Sequence, residues 1–251
     1  MSRIFAIAWH TVREAMRAQV LYVLGGSGLL IIAGATLLAP IALGQVKRIV
    51  IDLGLTATSL LGLLVLTLLG TNLVAREIER RTVDVLLAKP IRRSDYVLGK
   101  YLGLLVTLAV LVAAETGFLL VALVLVTGGL EPRSLLGGGM VFLELATLGA
   151  VVILYASFAG PLVAAFLTVA TYVAGHLVGD LADFAQAAGA PALAWAYYAL
   201  PNLASFDVRP EVVHGIPIEI GRLALAAAHG ASYAALALLL AVLVFERREF
   251  R

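Results

Sequence analysis

The sequence predicts an all-α polytopic membrane protein with six transmembrane helices, and three observations carry that prediction. Hydrophobic residues make up 62% of the chain and charged residues 14%, with a mean hydropathy of +1.02, far from the roughly half-apolar, quarter-charged balance of a soluble domain. The apolar residues gather into six runs, each close to the ~20 residues a helix needs to cross a bilayer. The third observation is a single long polar passage, residues 76–103 (REIERRTVDVLLAKPIRRSDYVLGKYLG). Its density of Arg, Lys, Glu and Asp cannot lie in lipid, so it must sit in water at one membrane face.

Residues 1–18 come first. Ile4, Phe5, Ile7, Ala8, Trp9, Val12 and Met16 alternate with Arg3, His10, Arg13, Glu14 and Arg17 at roughly helical spacing, the pattern of an amphipathic helix in the headgroup layer. A secretory signal does not fit, because the apolar run begins only near residue 20 and far exceeds the roughly 7–15 residues of a signal core. The six predicted spans follow at 20–43, 53–74, 101–126, 137–158, 161–178 and 221–245. An even number of crossings leaves both termini on one side. That side carries Arg3, Arg13, Arg17, Arg76, Arg80, Arg81, Lys89, Arg92, Arg93, Lys100, Arg247, Arg248 and Arg251, against Lys47, Arg48, Arg133, Arg209 and Arg222 opposite. The positive-inside rule therefore puts the termini and the 76–100 loop in the cytoplasm.

On the outer side, 44–52 and 127–136 read as simple turns, whereas 179–220 is long and acidic. Within it, 187–200 (AAGAPALAWAYYAL) is too short to span and too apolar to float, so it is expected as an interfacial helix. A lid over a pathway and a helix resting on lipid both fit. The turn at 157–161 is short and uncharged, which makes spans four and five a tight hairpin. One membrane domain, 1–251, accounts for the chain. The absence of cysteine excludes disulfides, thiolate metal sites and a cysteine nucleophile.

The 76–100 loop has internal structure of its own. Glu77 can pair with Arg80 and Arg81 at i+3 and i+4, extending span two as helix. Thr82 is a suitable N-cap, with Asp84 in the first turn. The short helix it starts displays Val83, Val85, Leu86 and Leu87, and Lys89-Pro90 ends it. Ser94 can cap the helix that follows. Two readings are open: a solvated loop gripping anionic headgroups, or a docking helix with Leu86 and Leu87 as anchors in a partner's groove.

The pattern formed by Glu77, Arg81, Thr82, Leu86, Leu87, Lys89, Pro90, Arg93, Tyr96, Gly99, Lys100 and Gly103 resembles the region after the second transmembrane helix of ABC-2 type permeases, and is most similar to the NosY-like branch. Gly175-His176, Pro201-Asn202 and the Phe245-Glu246-Arg247-Arg248 tail extend the likeness over nearly the whole chain. The resemblance implies an elbow helix at 1–18, a coupling helix at 83–88, and a permease subunit of an ATP-driven exporter in a prokaryotic plasma membrane. It also implies two permease copies or paralogues and separate nucleotide-binding subunits. Glu77, Arg81, Thr82, Val83, Val85, Leu86, Leu87, Lys89, Pro90 and Arg93 would then form the coupling surface for the partner ATPase.

The residues agree that ATP is handled elsewhere. No G-x-x-x-x-G-K-[ST] loop occurs: Gly99-Lys100 is followed by Tyr101, where a Mg²⁺-binding hydroxyl would be needed. ATP and Mg²⁺ are therefore expected on the partner subunit, with no cofactor on this chain. Glu115 and Glu144 fall at membrane depth, where an ionisable group is costly unless it faces protein or water. Two readings are open for each: a group lining a translocation route, or a hydrogen-bonded carboxyl joining helices. His176 lies at the outer end of span five, with Asp180 and Asp183 at i+4 and i+7. That spacing could hold a divalent ion, but an interfacial His beside solvated carboxylates is the simpler account, and no metal site is expected. Ala226, Gly230 and Ala234 permit close helix packing, within the bundle or at a dimer seam. The alternatives to transport are a membrane anchor or regulator of an ATPase, and a membrane-embedded hydrolase or acyltransferase. Against the enzyme, the chain has no H-E-x-x-H and no G-x-S-x-G.

Overall fold

A computed structural model describes residues 3–15, 21–38, 44–79, 93–179 and 200–247, and no strand occurs among them. The helices are α1 (Arg3–Ala15), α2 (Leu21–Leu38), α3 (Val46–Glu79), α4 (Arg93–Thr127), α5 (Arg133–Phe158), α6 (Pro161–His176), α7 (Arg209–His214) and α8 (Ile220–Arg247), with a 3-10 turn at Leu203–Phe206. By length and composition α3, α4, α5 and α8 can each cross a membrane, and α2 and α6 contain shorter apolar helices. The protein is a multi-pass helical membrane protein.

Helix α5 is the hub, packing against α3, α4, α6 and α8. About 67% of its apolar window is buried, against 33% for α8, so α5 is the inner helix and α8 runs along the outside. The bundle is apolar outside as well as inside. Leu98, Leu102, Val106 and Val110 form an exposed stripe on α4, and Leu162, Val163, Phe166, Val169 and Val173 do the same on α6. In water such stripes would be an aggregation surface; in hydrocarbon they are the solvent-facing side.

Two expectations about boundaries need correction. The predicted turn at 44–52 is helical from Val46, preceded by Gly44 at φ 84° and by a bond from the Ile49 amide to the Gln45 carbonyl (3.1 Å). Lys47 and Arg48 mark where hydrocarbon begins, but exposed charges do not interrupt helical hydrogen bonding. Likewise α4 starts at Arg93, so Ser94 lies inside its first turn instead of capping it. At the predicted hairpin the Ala159 amide bonds the Tyr155 carbonyl (2.8 Å) and Pro161 opens α6, the position where a missing N–H is harmless.

Helix α1 is amphipathic as expected, but much of what it buries is protein. Ala8, Thr11 and Ala15 press on α4, while Phe5 and Trp9 remain 53% exposed, with Arg13 lying 5.6 Å from the Trp9 ring. Gly99 and Gly103 make the crossing. A methyl on Gly103 would stand 2.5 Å from Thr11 and 2.8 Å from the Ala8 carbonyl, and one on Gly99 would stand 2.8 Å from Ile7. The G-x-x-x-G spacing is thus the seat of the N-terminal helix. The predicted coupling helix at 83–88 lies outside the described residues.

Candidate functional site

The second half of the outer segment folds into the bundle. Asn202 caps the 3-10 turn, its Oδ1 accepting from the Ser205 amide (3.3 Å), and Leu203, Phe206, Val208 and Val212 are all buried. Gly175 on α6 admits this segment: a methyl there would meet the Leu203 side chain at 2.7 Å and the Pro201 carbonyl at 2.8 Å. Gly175-His176 and Pro201-Asn202 are therefore two halves of one contact. Residues 187–199 of the expected interfacial helix at 187–200 lie outside the described residues. The inserted piece is 203–212, an outcome the sequence analysis missed. Four apolar residues at 203, 206, 208 and 212 within an otherwise polar stretch were the available signal.

Beneath this plug a polar cluster draws on four elements. Glu144 of α5 is 4% exposed and accepts a long bond from Ser59 Oγ of α3 (3.5 Å). Ser59 also contacts Tyr172 Oη of α6 at 2.9 Å. The other Glu144 oxygen lies 3.4 Å from His176 Nε2, whose Nδ1 is held by the Tyr172 carbonyl at 3.0 Å. A carbonyl only accepts, so Nδ1 carries the proton and Nε2 faces the carboxyl. The gap shared by Ser59, Glu144, His176, Asp207 and Arg209 measures about 10 Å³, the lower limit for one water. Between the plug and Glu144 the described side chains leave no more room than that.

The lid of that gap is an ion pair. Arg209 Nε and Nη2 grip both Asp207 oxygens (2.8 and 2.7 Å), and its backbone amide adds a third bond (3.0 Å). Burial by itself would raise the Asp207 carboxyl, but the bonds from Arg209 outweigh it and hold the group below its ordinary value of 3.8. The same pairing raises Arg209 further above its ordinary value. The remaining Arg209 nitrogen, Nη1, donates to Thr56 Oγ1 of α3 (2.9 Å), pinning the plug to the bundle. Further out, Arg222 of α8 bonds Glu211 and the Asp207 carbonyl (3.1 Å), and Arg133 bonds the Gly215 carbonyl (2.6 Å). Lys47 pairs with Glu131 across the bases of α3 and the α4–α5 turn.

The structure thus brings Glu144 and His176 together and leaves Glu115 apart. Glu115, fully buried on α4, accepts from Ser27 Oγ of α2, and its second oxygen has no hydrogen-bond partner among the described residues. Asp180 and Asp183 lie outside the described residues. So do Arg81, Thr82, Val83, Val85, Leu86, Leu87, Lys89 and Pro90, while Glu77 falls in the last turns of α3. Arg93 is described: its Nη1 donates to the carbonyls of Phe245 (2.8 Å) and Glu246 (2.7 Å) at the end of α8.

A family model described as ABC-2 family transporter protein matches residues 31–206, from α2 through the plug's 3-10 turn. The chain belongs to the ABC-2 transporter family. No curated protein matches it. Membership makes this ABC-2 chain the membrane component of an ABC transporter, a class whose ATP-hydrolysing partner is a separate ABC subunit. The plug and the Glu144–His176 cluster are the polar interior of that membrane domain.

Proposed function

We propose that the chain is the permease subunit of an ATP-driven exporter in a prokaryotic plasma membrane, a single domain spanning 1–251 and working as a homo- or heterodimer with two nucleotide-binding subunits. Six crossings are supplied by α2, α3, α4, α5, α6 and α8. The 18 residues of α2 and 16 of α6 rise about 27 and 24 Å at 1.5 Å per residue, close to the ~30 Å hydrocarbon core. The termini and residues 76–100 face the cytoplasm, with α1 as the elbow helix. ATP and Mg²⁺ bind the partner, and residues 83–88, anchored by Leu86 and Leu87 and flanked by Glu77, Arg81, Lys89 and Pro90, dock into its groove.

The observation that carries this reading is the polar cluster around Glu144 beneath the plug. Buried Ser59 of α3 and half-buried Tyr172 and His176 of α6 gather at Glu144 of α5 and are roofed by a plug held through Asp207, Arg209 and Arg222. A packed core has no use for such groups, since each must be desolvated. A route that opens outward does, because the same side chains line it once the plug lifts. Glu144 and His176 are then pathway residues, and Glu115 contributes to the α2–α4 contact.

The test is co-purification with candidate ABC ATPase subunits. Hydrolysis should rise only in the complex. Leu86→Asp should lower the rise about tenfold, the effect of losing ~1.4 kcal/mol at a docking anchor. Unchanged stimulation in Leu86→Asp, or lipid or peptide hydrolysis by the isolated chain, would defeat the proposal.

A further inference from the structure

We propose that the groove between the leading end of the plug and α8 is a binding site for one glycerophospholipid of the plug-side leaflet, selective for an ethanolamine head. The groove measures about 580 Å³, within the roughly 300–1,000 Å³ of ligand sites. Asn202 and Ser205 line one side; Glu219, just ahead of α8, and Arg222, His229 and Tyr233 line the other. Spacings of three, seven and four residues put those last four on one helix face. The helix also fixes their depth. Glu246 is exposed at its far end and belongs in water, and the ~20 residues that cover the hydrocarbon, counted back from Phe245, reach Ala226. Glu219 and Arg222 therefore lie at the level of lipid heads, His229 just inside the hydrocarbon edge, and Tyr233 about 6 Å deeper at 1.5 Å per residue.

Charge and hydrogen-bonding capacity are ordered along the groove. At the mouth Arg222 is already matched by the Glu211 carboxylate and the Asp207 carbonyl, whereas the Glu219 carboxylate has no partner among the described residues. The mouth calls for a cation. Beneath it the polar groups are donors. The Asn202 backbone amide donates to His229 Nε2 (3.4 Å), which puts the imidazole proton on Nδ1. Asn202 Oδ1 accepts from the Ser205 amide (3.3 Å), which leaves the side-chain NH2 to donate. Neither donor has a hydrogen-bond partner among the described residues. His229 is exposed, and a polar ring at the hydrocarbon edge is costly unless something polar meets it. Below it the same helix face turns apolar, with Leu236, Leu240 and Leu243 all exposed. A cation outermost, oxygen acceptors beneath and a hydrocarbon tail lowest is the order of groups in a phospholipid with an amine head. A primary ammonium can donate to the Glu219 carboxylate and a quaternary one cannot, which favours ethanolamine over choline. An anionic head would set a second negative charge beside Glu219 and gain nothing from it.

A lipid seated here touches the leading end of the plug and α8 at once. The competing account is a cleft wetted by water that takes any lipid passing over it. The site rests on the permease reading only for its leaflet, which is the outer one when the termini are cytoplasmic. Its test needs no ATPase, so failure here would leave the permease reading standing, and failure of the docking test would leave the lipid site standing.

Native mass spectrometry of the full-length protein in detergent reads the site directly, with phosphatidylethanolamine, phosphatidylcholine and anionic phosphatidylglycerol of identical tails offered in equal amounts. The protein should retain the ethanolamine lipid about fivefold over the other two, the upper end for one exposed ion pair. Glu219→Gln should bring the ethanolamine and choline lipids to equality at an unchanged melting temperature. His229→Ala should weaken retention of all three about threefold, the effect of one hydrogen bond. Leu225→Trp, at a groove residue 73% exposed, fills the groove without entering the core and should abolish the preference, whereas Leu162→Trp, 84% exposed on α6, should keep it. The idea is overturned if the unaltered protein retains the three lipids equally or favours phosphatidylglycerol, if Glu219→Gln keeps the ethanolamine preference, or if Leu225→Trp and Leu162→Trp behave alike.

Discussion

Asp207 and Arg209 are two residues apart; they neutralise each other and leave one guanidinium nitrogen to reach α3. Removing the carboxylate leaves a half-buried guanidinium without its counter-ion. Asp207→Asn is therefore expected to destabilise by about 1.5–3 kcal/mol, the range for a charge-assisted bond, as a lowered melting temperature in detergent. The pH dependence has a defined sign. Because the folded-state Asp207 lies below its ordinary 3.8, its contribution is fully present above that value and is lost as pH falls through the folded pKa. The wild-type melting temperature should thus lose this increment only below about pH 4, and the Asp207→Asn protein should lack that acid-side step. Glu144 was legible in the sequence because an ionisable residue at membrane depth is costly wherever it sits, whereas His176 was read as an interfacial residue beside Asp180 and Asp183 and the structure sets it against Glu144. Their partners were not: Ser59 lies 85 positions from Glu144 and 113 from Tyr172, separations over which no local pattern carries information.

At the scale of elements, apolar length predicted the helices but said little of where they touch. Gly99 and Gly103 entered only as part of the family pattern, and the structure gives them a partner, α1. Gly103→Leu would force α1 off α4, at an expected cost of about 1–3 kcal/mol from overpacking. Chemical unfolding would register it, together with faster proteolysis at Arg13. Normal protease resistance in Gly103→Leu would mean that α1 does not need this seat. The ends of the elements were less legible. Helix α3 begins seven residues before its predicted span, because hydropathy locates the hydrocarbon boundary while backbone hydrogen bonding continues past it; for α4 that extension was expected from Ser94, which lies inside the first turn instead of capping it. The plug was missed for a related reason: its 3-10 turn and the six residues of α7 are too short for periodicity to register.

In the whole molecule, the small-residue stripe Ala226, Gly230, Ala234 shows how a pattern with two readings is resolved. Ala226 is 4% and Ala234 7% exposed, and a methyl on Gly230 would come within 2.6 Å of both the Phe206 ring and Thr147 Oγ1. The stripe faces the bundle's own interior and receives the plug's aromatic residue. Gly→Ala in a helix ordinarily stabilises by about 1 kcal/mol, but here the clash with two packed groups should win. Gly230→Ala is expected to lower the melting temperature with no change in oligomeric mass, measured by light scattering; a changed mass at unchanged stability would make the stripe a subunit seam after all. The sequence by itself determined the solvent of each segment, the helical class, the family and the identity of the costly buried carboxyls, because hydration free energy belongs to the residue and does not wait for the fold. Only the tertiary structure decided which helices cross at the glycines, that the outer segment enters the bundle at 203–212, and that Arg222 of α8 holds that segment while Arg93 bonds the Phe245 and Glu246 carbonyls of the same helix. Those facts depend on contacts between residues far apart in the chain, and such contacts are selected by the packing of the whole bundle.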